Sequence, residues 1–205
     1  IRALCFAVFF GITLGIIAAL RRGKPLDYGC ILIAIIGTSV PDFIMGSLLQ
    51  YFFGVQWKLL PVAQYTTWRH TILPAIAVGF YSLASISRYM RTSMLEVISQ
   101  DYIKTAKSKG ISNFRITWKH QIRNAIMPVV TMMGPLVASV LTGTFVIEAM
   151  YVVPGMGKYY VESISTYDYT IVLGITVFYG AFLVICNTIV DILYGFIDPR
   201  IKLAK

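Results

Sequence analysis

Charge is scarce in this sequence, and acid scarcer than base. Only 13% of its 205 residues are charged, 9 of them acidic against 18 Lys and Arg, whereas soluble domains carry about 25% charged residues. That excludes an ordinary soluble domain. Cysteine (3) and histidine (2) are also few. Cys5, Cys30 and Cys186 are odd in number and sit in apolar context, so free buried thiols are expected rather than a disulfide framework or a metal centre. His70 and His120 each follow a cation and have no clustered second ligand, so both read as interfacial. No G-x-x-x-x-G-K-[ST] loop occurs, and Gly155-Met156-Gly157-Lys158 is a look-alike without the loop, so the chain holds no phosphate cradle of its own. No Ser-His-Asp, Cys-His or paired-carboxylate arrangement stands out, which leaves no catalytic reading. The chain also lacks an initiating Met. Ile1 opens directly in an apolar run, and residues upstream of it are expected.

What is present is apolar, 57% of residues, and it comes in runs long enough to cross a bilayer core of about 30 Å at about 1.5 Å per residue. Residues 3–20 make a first span, stopped by Arg21, Arg22, Lys24 and Pro25. Residues 28–57 are apolar apart from Asp42 beside Pro41, and more than one upright helix needs, so a kinked or tilted span with an interfacial piece is expected. Trp57, Pro61, Tyr65 and Trp68 have the composition of an aromatic belt. Residues 70–87, 124–147 and 169–190 give the third, fourth and fifth spans, and Gly134-Pro135 and Gly143 read as a flexible point in the fourth. The expectation is a single all-α polytopic membrane domain over residues 1–205 with five spans.

Arg21, Arg22 and Lys24, the eight cations from Arg88 to Arg123, and Arg200, Lys202 and Lys205 are fourteen of the eighteen cations. All fourteen fall on one side of that topology. By the positive-inside rule this side, with the C-terminus, is cytoplasmic, and the net charge of +9 needs no nucleic acid to explain it.

Residues 95–128 are the one long polar passage. Leu95, Ile98, Tyr102 and Ala106 recur at near-helical spacing, Lys107 and Lys109 occupy the last turn, and Gly110 stands where a helix C-terminus favours glycine. Ser112 is a candidate N-cap for a second helix, in which Phe114, Trp118 and Ile122 form an apolar stripe. The unit reads as helix, glycine elbow, helix. Too charged to span lipid, it is expected to pack under the spans and to offer its elbow to water or to a partner.

The run from Asp101 to Gly110, followed by His120-Gln121-Ile122-Arg123-Asn124-Ala125-Ile126-Met127-Pro128, resembles the signature loop of binding-protein-dependent ABC importer permeases. Within that superfamily it is similar to the B-type permease of dipeptide, oligopeptide and nickel importers. Ser39 to Phe43, Tyr151 to Gly157 and Asp191 to Arg200 agree with this resemblance, which covers nearly the whole chain. Lys104, Thr105 and Ala106 stand where the general signature has Glu-Ala-Ala, a departure that leaves any role of that Glu without a bearer here.

The resemblance implies a type I ABC importer permease fold, usually with one further N-terminal helix. It also implies a second permease subunit, generally a different chain, two cytoplasmic ATPase subunits that use ATP and Mg, and an extracytoplasmic binding protein. The chain itself would bind no cofactor and catalyse nothing, in the cytoplasmic membrane of a prokaryote. The segment 95–124 would be the ATPase-coupling unit, with Glu96, Asp101, Tyr102, Thr105, Ala106, Lys109, Gly110, Ile111 and Ser112 as its contact positions. A cationic interfacial segment is the plain alternative.

For the translocation path the candidates are Pro41, Asp42, Met133, Ser139 and Thr142. A carboxylate in an apolar span is a functional candidate by default, and Asp42 would suit an amino group or a metal cation. It could equally sit wet beside a Pro41 kink. Met132, Met133, Ser139, Thr142 and Thr144 suit a permissive conduit, yet small and hydroxyl residues also serve ordinary helix packing. Glu148 is placed to cap or pair near the outer face, and Asp191 to pair with a nearby cation. Three classes of function stand: the membrane subunit of an ATP-driven importer, an ATP-independent channel or ion-coupled carrier using Asp42 and Asp191, and a scaffold whose basic loop binds a protein or anionic lipid.

Overall fold

Small residues decide the tightest packing in the molecule. In the computed structural model, which describes residues 1–142 and 145–197 and leaves the side chains of 141, 142, 190, 191 and 193–197 outside the described set, helix α1 (Arg2–Leu20) buries Ala3, Ala7, Gly11, Gly15 and Ala18. This stripe of small residues at roughly four-residue spacing lets two backbones approach closely. It lies on α4 (Ile72–Ile98). A Cβ at Gly11 would stand 2.8 Å from Ile86, and one at Gly15 would stand 2.6 Å from Met90 Cβ and 2.7 Å from the Ser87 carbonyl oxygen. Ala7, Leu83, Ile86, Met90, Met94, Ala125 and Val129 form the main apolar core around this seam.

Helix α2 (Pro25–Ser39) starts with proline in its first turn, where the missing N–H costs nothing. It runs back along α4, and Gly37 meets Ala84 there. The expected kink at Pro41 is a sharp one. Val40 is extended, as the residue before proline must tend to be, and α3 (Asp42–Leu49), continued by a π-helical stretch Gln50–Gln56, leaves at 111° to α2. The Tyr151 hydroxyl then donates to the Gly46 carbonyl at 2.9 Å, and Gln50 Nε2 donates to the carbonyls of Val62 and Met150. These bonds tie the returning segment to α9 (Phe145–Tyr151). Trp57, Tyr65 and Trp68 in the following connection are exposed, as an aromatic belt would be.

The third span departs from the expected residues 70–87. A 3₁₀ turn (Trp68–Thr71) leads into α4, which continues past Arg88 and Arg91 to Ile98. The chain then breaks at Ser99–Gln100 before α5 (Asp101–Ser108), so Leu95 and Ile98 belong to the long helix and not to the elbow. Helix α6 (Asn113–Ile116) passes through a π-helical stretch Thr117–Ile122 into α7 (Arg123–Ala125) and α8 (Met127–Thr142). Pro128, lacking an N–H, stands at the start of α8 just after the 47° bend between these halves. Pro135, expected to mark a flexible point with Gly134 and Gly143, lies inside continuous α8, and Gly143 lies outside the described residues. Helix α10 (Met156–Ser165) precedes α11 (Tyr169–Ile197).

The described residues hold helices and no strand. Arg2–Leu20, Trp68–Ile98 and Tyr169–Ile189 are each long and apolar enough to span a bilayer, and the two bent pairs bring the figure up to five if each is one span. Tyr169–Ile189 has only 6% of its residues buried. Cys30 and Cys186 are buried as expected, whereas Cys5 is exposed on α1, because the face of α1 that meets α4 is taken by the small residues.

Candidate functional site

Two features carry chemistry: the elbow at one end of α4, and a pair of cavities part-way along it. The elbow is built on Gly110, whose φ of +73° lies in the left-handed region where glycine alone is free of strain. The Gly110 N–H donates to the Lys107 carbonyl at 3.0 Å, and the Ile111 N–H to the Ala106 carbonyl at 3.3 Å. This is a Schellman closure of α5. Ile111 packs back on the cluster of Ile103, Ala106 and Ile116 that holds the two limbs together, and Asn124 Nδ2 bridges them by donating to the Tyr102 hydroxyl at 3.0 Å. Ser112 occupies the N-cap of α6 without a side-chain cap bond.

Two parts of the expected stripes are corrected. Ile103 is fully buried while Tyr102 is exposed, because α5 begins only at Asp101 and takes its own phase. Phe114 and Trp118 are 74% and 60% exposed, and Ile116 and Gln121 are buried in their place. The π-helical stretch from Thr117 shifts the helical register there, so a four-residue spacing no longer marks one face. The Phe114 and Trp118 rings lie 6.1 Å apart, Asp101, Thr105 and Lys109 are exposed on the same unit, and Glu96 is exposed in the last turns of α4 before it. Lys104 pairs with Asp101 at 2.8 Å.

The first cavity, of about 460 Å³, opens between α2 and α4 and is lined by Cys30, Thr38, Ser39, Ser87, Arg88 and Arg91 among others. The second, of about 330 Å³, is lined by Thr38, Ser39, Pro41, Asp42, Tyr81 and Ser139 among others. Both volumes suit small-molecule pockets. Thus Pro41, Asp42 and Ser139, three of the expected path residues, meet at one cavity. Met133 does not join them. It packs on the main core, and the side chain of Thr142 lies outside the described residues. Asp42 is half-buried and accepts the Phe43 N–H at 3.0 Å, at the helix end where a carboxylate is favoured.

An ion pair between buried Asp27 and half-buried Arg91 borders the first cavity. Arg91 Nε and Nη2 donate to Asp27 Oδ1 and Oδ2 at 2.7 and 2.9 Å, and the Gly23 N–H also donates to Oδ2 at 2.9 Å. Nothing in the periodicity announces this pair. Its one signal is that Asp27 is the only acid between the first cation cluster and Asp42.

Beyond the bundle, Glu148 of α9 explains the Pro-Gly-Met-Gly motif. Its Oε2 accepts the Gly157 N–H at 2.7 Å, and a Cβ at Gly155 or Gly157 would fall within 2.6 Å of the carboxylate. Glu148 thus caps α10, and burial pushes its carboxyl pKa up against the pull of the Gly157 and Lys158 amides. Burial also raises the Tyr151 phenol. His70 serves locally, with Nδ1 2.8 Å from the Thr67 hydroxyl in a capping box. No group of three His, Cys, Asp or Glu among the described residues is arranged to hold a metal ion.

Residues 11–203 match the model of the binding-protein-dependent transport system inner membrane component family. This chain belongs to that family. Its fold is therefore that of the type I ABC importer permeases, and it is a membrane protein. Among similar proteins are the dipeptide transport system permease protein DppB of Bacillus subtilis, 52% identical over 203 residues and 99% of this chain, and the oligopeptide transport system permease protein OppB of Haemophilus influenzae, 38% identical over 202 residues and 98% of this chain. A third is the glutathione transport system permease protein GsiC of Escherichia coli K12, 37% identical over 98% of this chain. The chain spans 66% of the length of each of these three relatives, just under two thirds.

Proposed function

We propose that this chain is the membrane-spanning permease part of an ATP-driven importer of peptides. The observation that carries this reading is the Gly110 elbow. It is a compact helix pair, closed by its own Schellman bonds and apolar cluster, with the Phe114 and Trp118 rings and a set of charges turned outward. Such a body is suited to transmit a rigid displacement.

In this reading residues 95–124 rest on a cytoplasmic ATPase subunit, with Glu96, Asp101, Tyr102, Thr105, Lys109, Gly110 and Ser112 facing it while Ala106 and Ile111 hold the limbs together. ATP and Mg are used on two such subunits, and a second permease covers the cavities at Asp42 and Ser139, closing the path. An extracytoplasmic binding protein delivers the solute at the opposite end. The elbow and the C-terminus are cytoplasmic, in the inner membrane of a prokaryote. Relatives named for dipeptide, oligopeptide and glutathione transport point to peptides as the cargo class, and the cavities, of mixed apolar and polar lining, are of fitting size.

The test is uptake of a labelled dipeptide into proteoliposomes holding the full-length protein with its partner subunits. Accumulation that needs ATP and the binding protein supports the reading. Accumulation driven by an ion gradient alone would place the protein among secondary carriers.

A further inference from the structure

The two cavities share Thr38 and Ser39, and they hold opposite charges. Asp42 lines one, and Arg88 lines the other. Arg91 also reaches the Arg88 cavity, but its guanidinium is held by Asp27. Arg88 has no carboxylate partner among the described residues, and only its Nη2 is engaged, donating to the Thr38 hydroxyl at 2.6 Å. The rest of its five-donor fork remains for a planar anion. Asp42 likewise faces no cation among the described residues, and its carboxylate takes a single N–H from its own helix.

Arg88 sits in a helix long and apolar enough to span lipid, and Asp42 in a bent helix pair that is so when the two halves are taken as one span. There an uncompensated charge is costly and is kept for a cavity or a ligand. Arg88 is exposed and lines its cavity ten residues before the end of α4, and its anchor Thr38, half-buried, lies beside the close contact of α2 and α4 at Gly37 and Ala84. Separation also fits. The four-residue step from Thr38 to Asp42 covers no more than about 14 Å fully extended, and a peptide extends by at most about 3.5 Å per residue. A peptide of four residues therefore covers the whole of that step, and the 111° turn at Pro41 shortens it toward what two or three residues span.

We infer that Asp42 and Arg88 receive the two charged ends of a short zwitterionic peptide as it passes α2 and α4, the ammonium at Asp42 and the carboxylate at Arg88. Thr38 holds the guanidinium in place, and the shared wall at Thr38 and Ser39 carries the peptide backbone between them. This rests on the importer reading above and adds to it the polarity with which the cargo is held. It also gives Arg88, the cation of that cavity with no carboxylate partner among the described residues, a role that positive-inside bias does not, since its Nη2 is held by the Thr38 hydroxyl of the neighbouring helix.

The experiment measures uptake of labelled alanyl-alanine by proteoliposomes of the full-length complex. Arg88→Gln, Arg88→Lys, Asp42→Asn and Asp42→Glu are compared with wild type, and ATP hydrolysis stimulated by loaded binding protein is read in parallel. Arg88→Gln and Asp42→Asn are expected to lower uptake about tenfold at unchanged ATP hydrolysis and unchanged inserted protein, so that peptide moved per ATP falls. Arg88→Lys and Asp42→Glu, which keep the charge, recover most of it. Uptake by Arg88→Gln within twofold of wild type overturns the inference. So does failure of Arg88→Gln and Arg88→Lys alike to insert, which would make Arg88 structural. Absence of ATP-dependent uptake by the wild type overturns the importer reading itself, and this inference with it.

Discussion

Asp27 and Arg91 join α2 to α4 through two parallel hydrogen bonds of 2.7 and 2.9 Å, with the Asp27 side chain only 3% exposed. Leaving the enclosed Asp27 carboxylate alone costs about 3–5 kcal/mol and leaving Arg91, 25% exposed, costs less, whereas replacing both by apolar residues can be close to neutral. Asp27→Ala and Arg91→Ala should therefore each markedly lower the yield and the melting temperature of the detergent-purified protein. The double variant Asp27→Leu with Arg91→Leu should be the more stable. A double variant as damaged as the sum of the singles would show that the two residues act independently.

The α1 seam leaves no space at Gly15. A side chain there meets the Ser87 carbonyl oxygen and the Met90 Cβ at under 3 Å, and neither atom is the free end of a flexible chain. Gly15→Val is expected to cost about 1–3 kcal/mol by overpacking and to part α1 from α4. Gly29→Val, where an added Cβ meets nothing within 4 Å, should leave stability within about 0.5 kcal/mol of wild type. Thermal unfolding of the two variants side by side checks this, and equal loss in both would argue against the tight seam.

Glu148 introduces a pH dependence of definite sign. Burial raises its carboxyl above the ordinary value of 4.5, so the folded state holds the proton more tightly than the unfolded chain does. Stability from this group is full below about 4.5 and falls as the pH rises through the raised value. Glu148→Gln, still able to accept the Gly157 N–H, should flatten that part of the stability profile. An unchanged slope between pH 4.5 and neutrality in the variant would assign the dependence to another group.

Much of this architecture is legible in the residues, and the failures have physical causes. Long uncharged runs locate the spans because lipid imposes one requirement on every residue of a segment. Gly110 is legible because a helix C-terminus that closes through a positive φ favours glycine. The break at Ser99–Gln100 is hidden, since Leu95 and Ile98 keep helical spacing with Tyr102 across it and only α4's packing on α1 draws them into the longer helix. Phe114 and Trp118 mislead because a π-helical stretch alters the period on which a stripe is judged. Asp42 and Ser139 can be suspected singly. Their convergence depends on the 111° turn at Pro41, which spacing does not encode, and for the same reason Arg88 passes as one cation among eight in its cluster until Thr38 is seen beside it.

The account turns on the elbow, and Gly110 is where it can be struck without touching anything else. No atom of this chain lies within 4 Å of a Cβ placed there, so within the chain the effect of substitution is conformational, and Asn, of similar size to Val, controls for contact with the ATPase. A branched side chain at φ +73° costs about 1–2 kcal/mol, while Asn tolerates the left-handed region. The decisive measurement is ATP-dependent uptake of alanyl-alanine, with ATP hydrolysis read in parallel, in proteoliposomes of the full complex carrying Gly110→Val or Gly110→Asn. Uptake and stimulated ATP hydrolysis should fall together, about fivefold or more, in Gly110→Val at wild-type insertion, with Gly110→Asn close to wild type. Normal uptake and normal stimulation in Gly110→Val would contradict the elbow's role as the joint between ATPase and path.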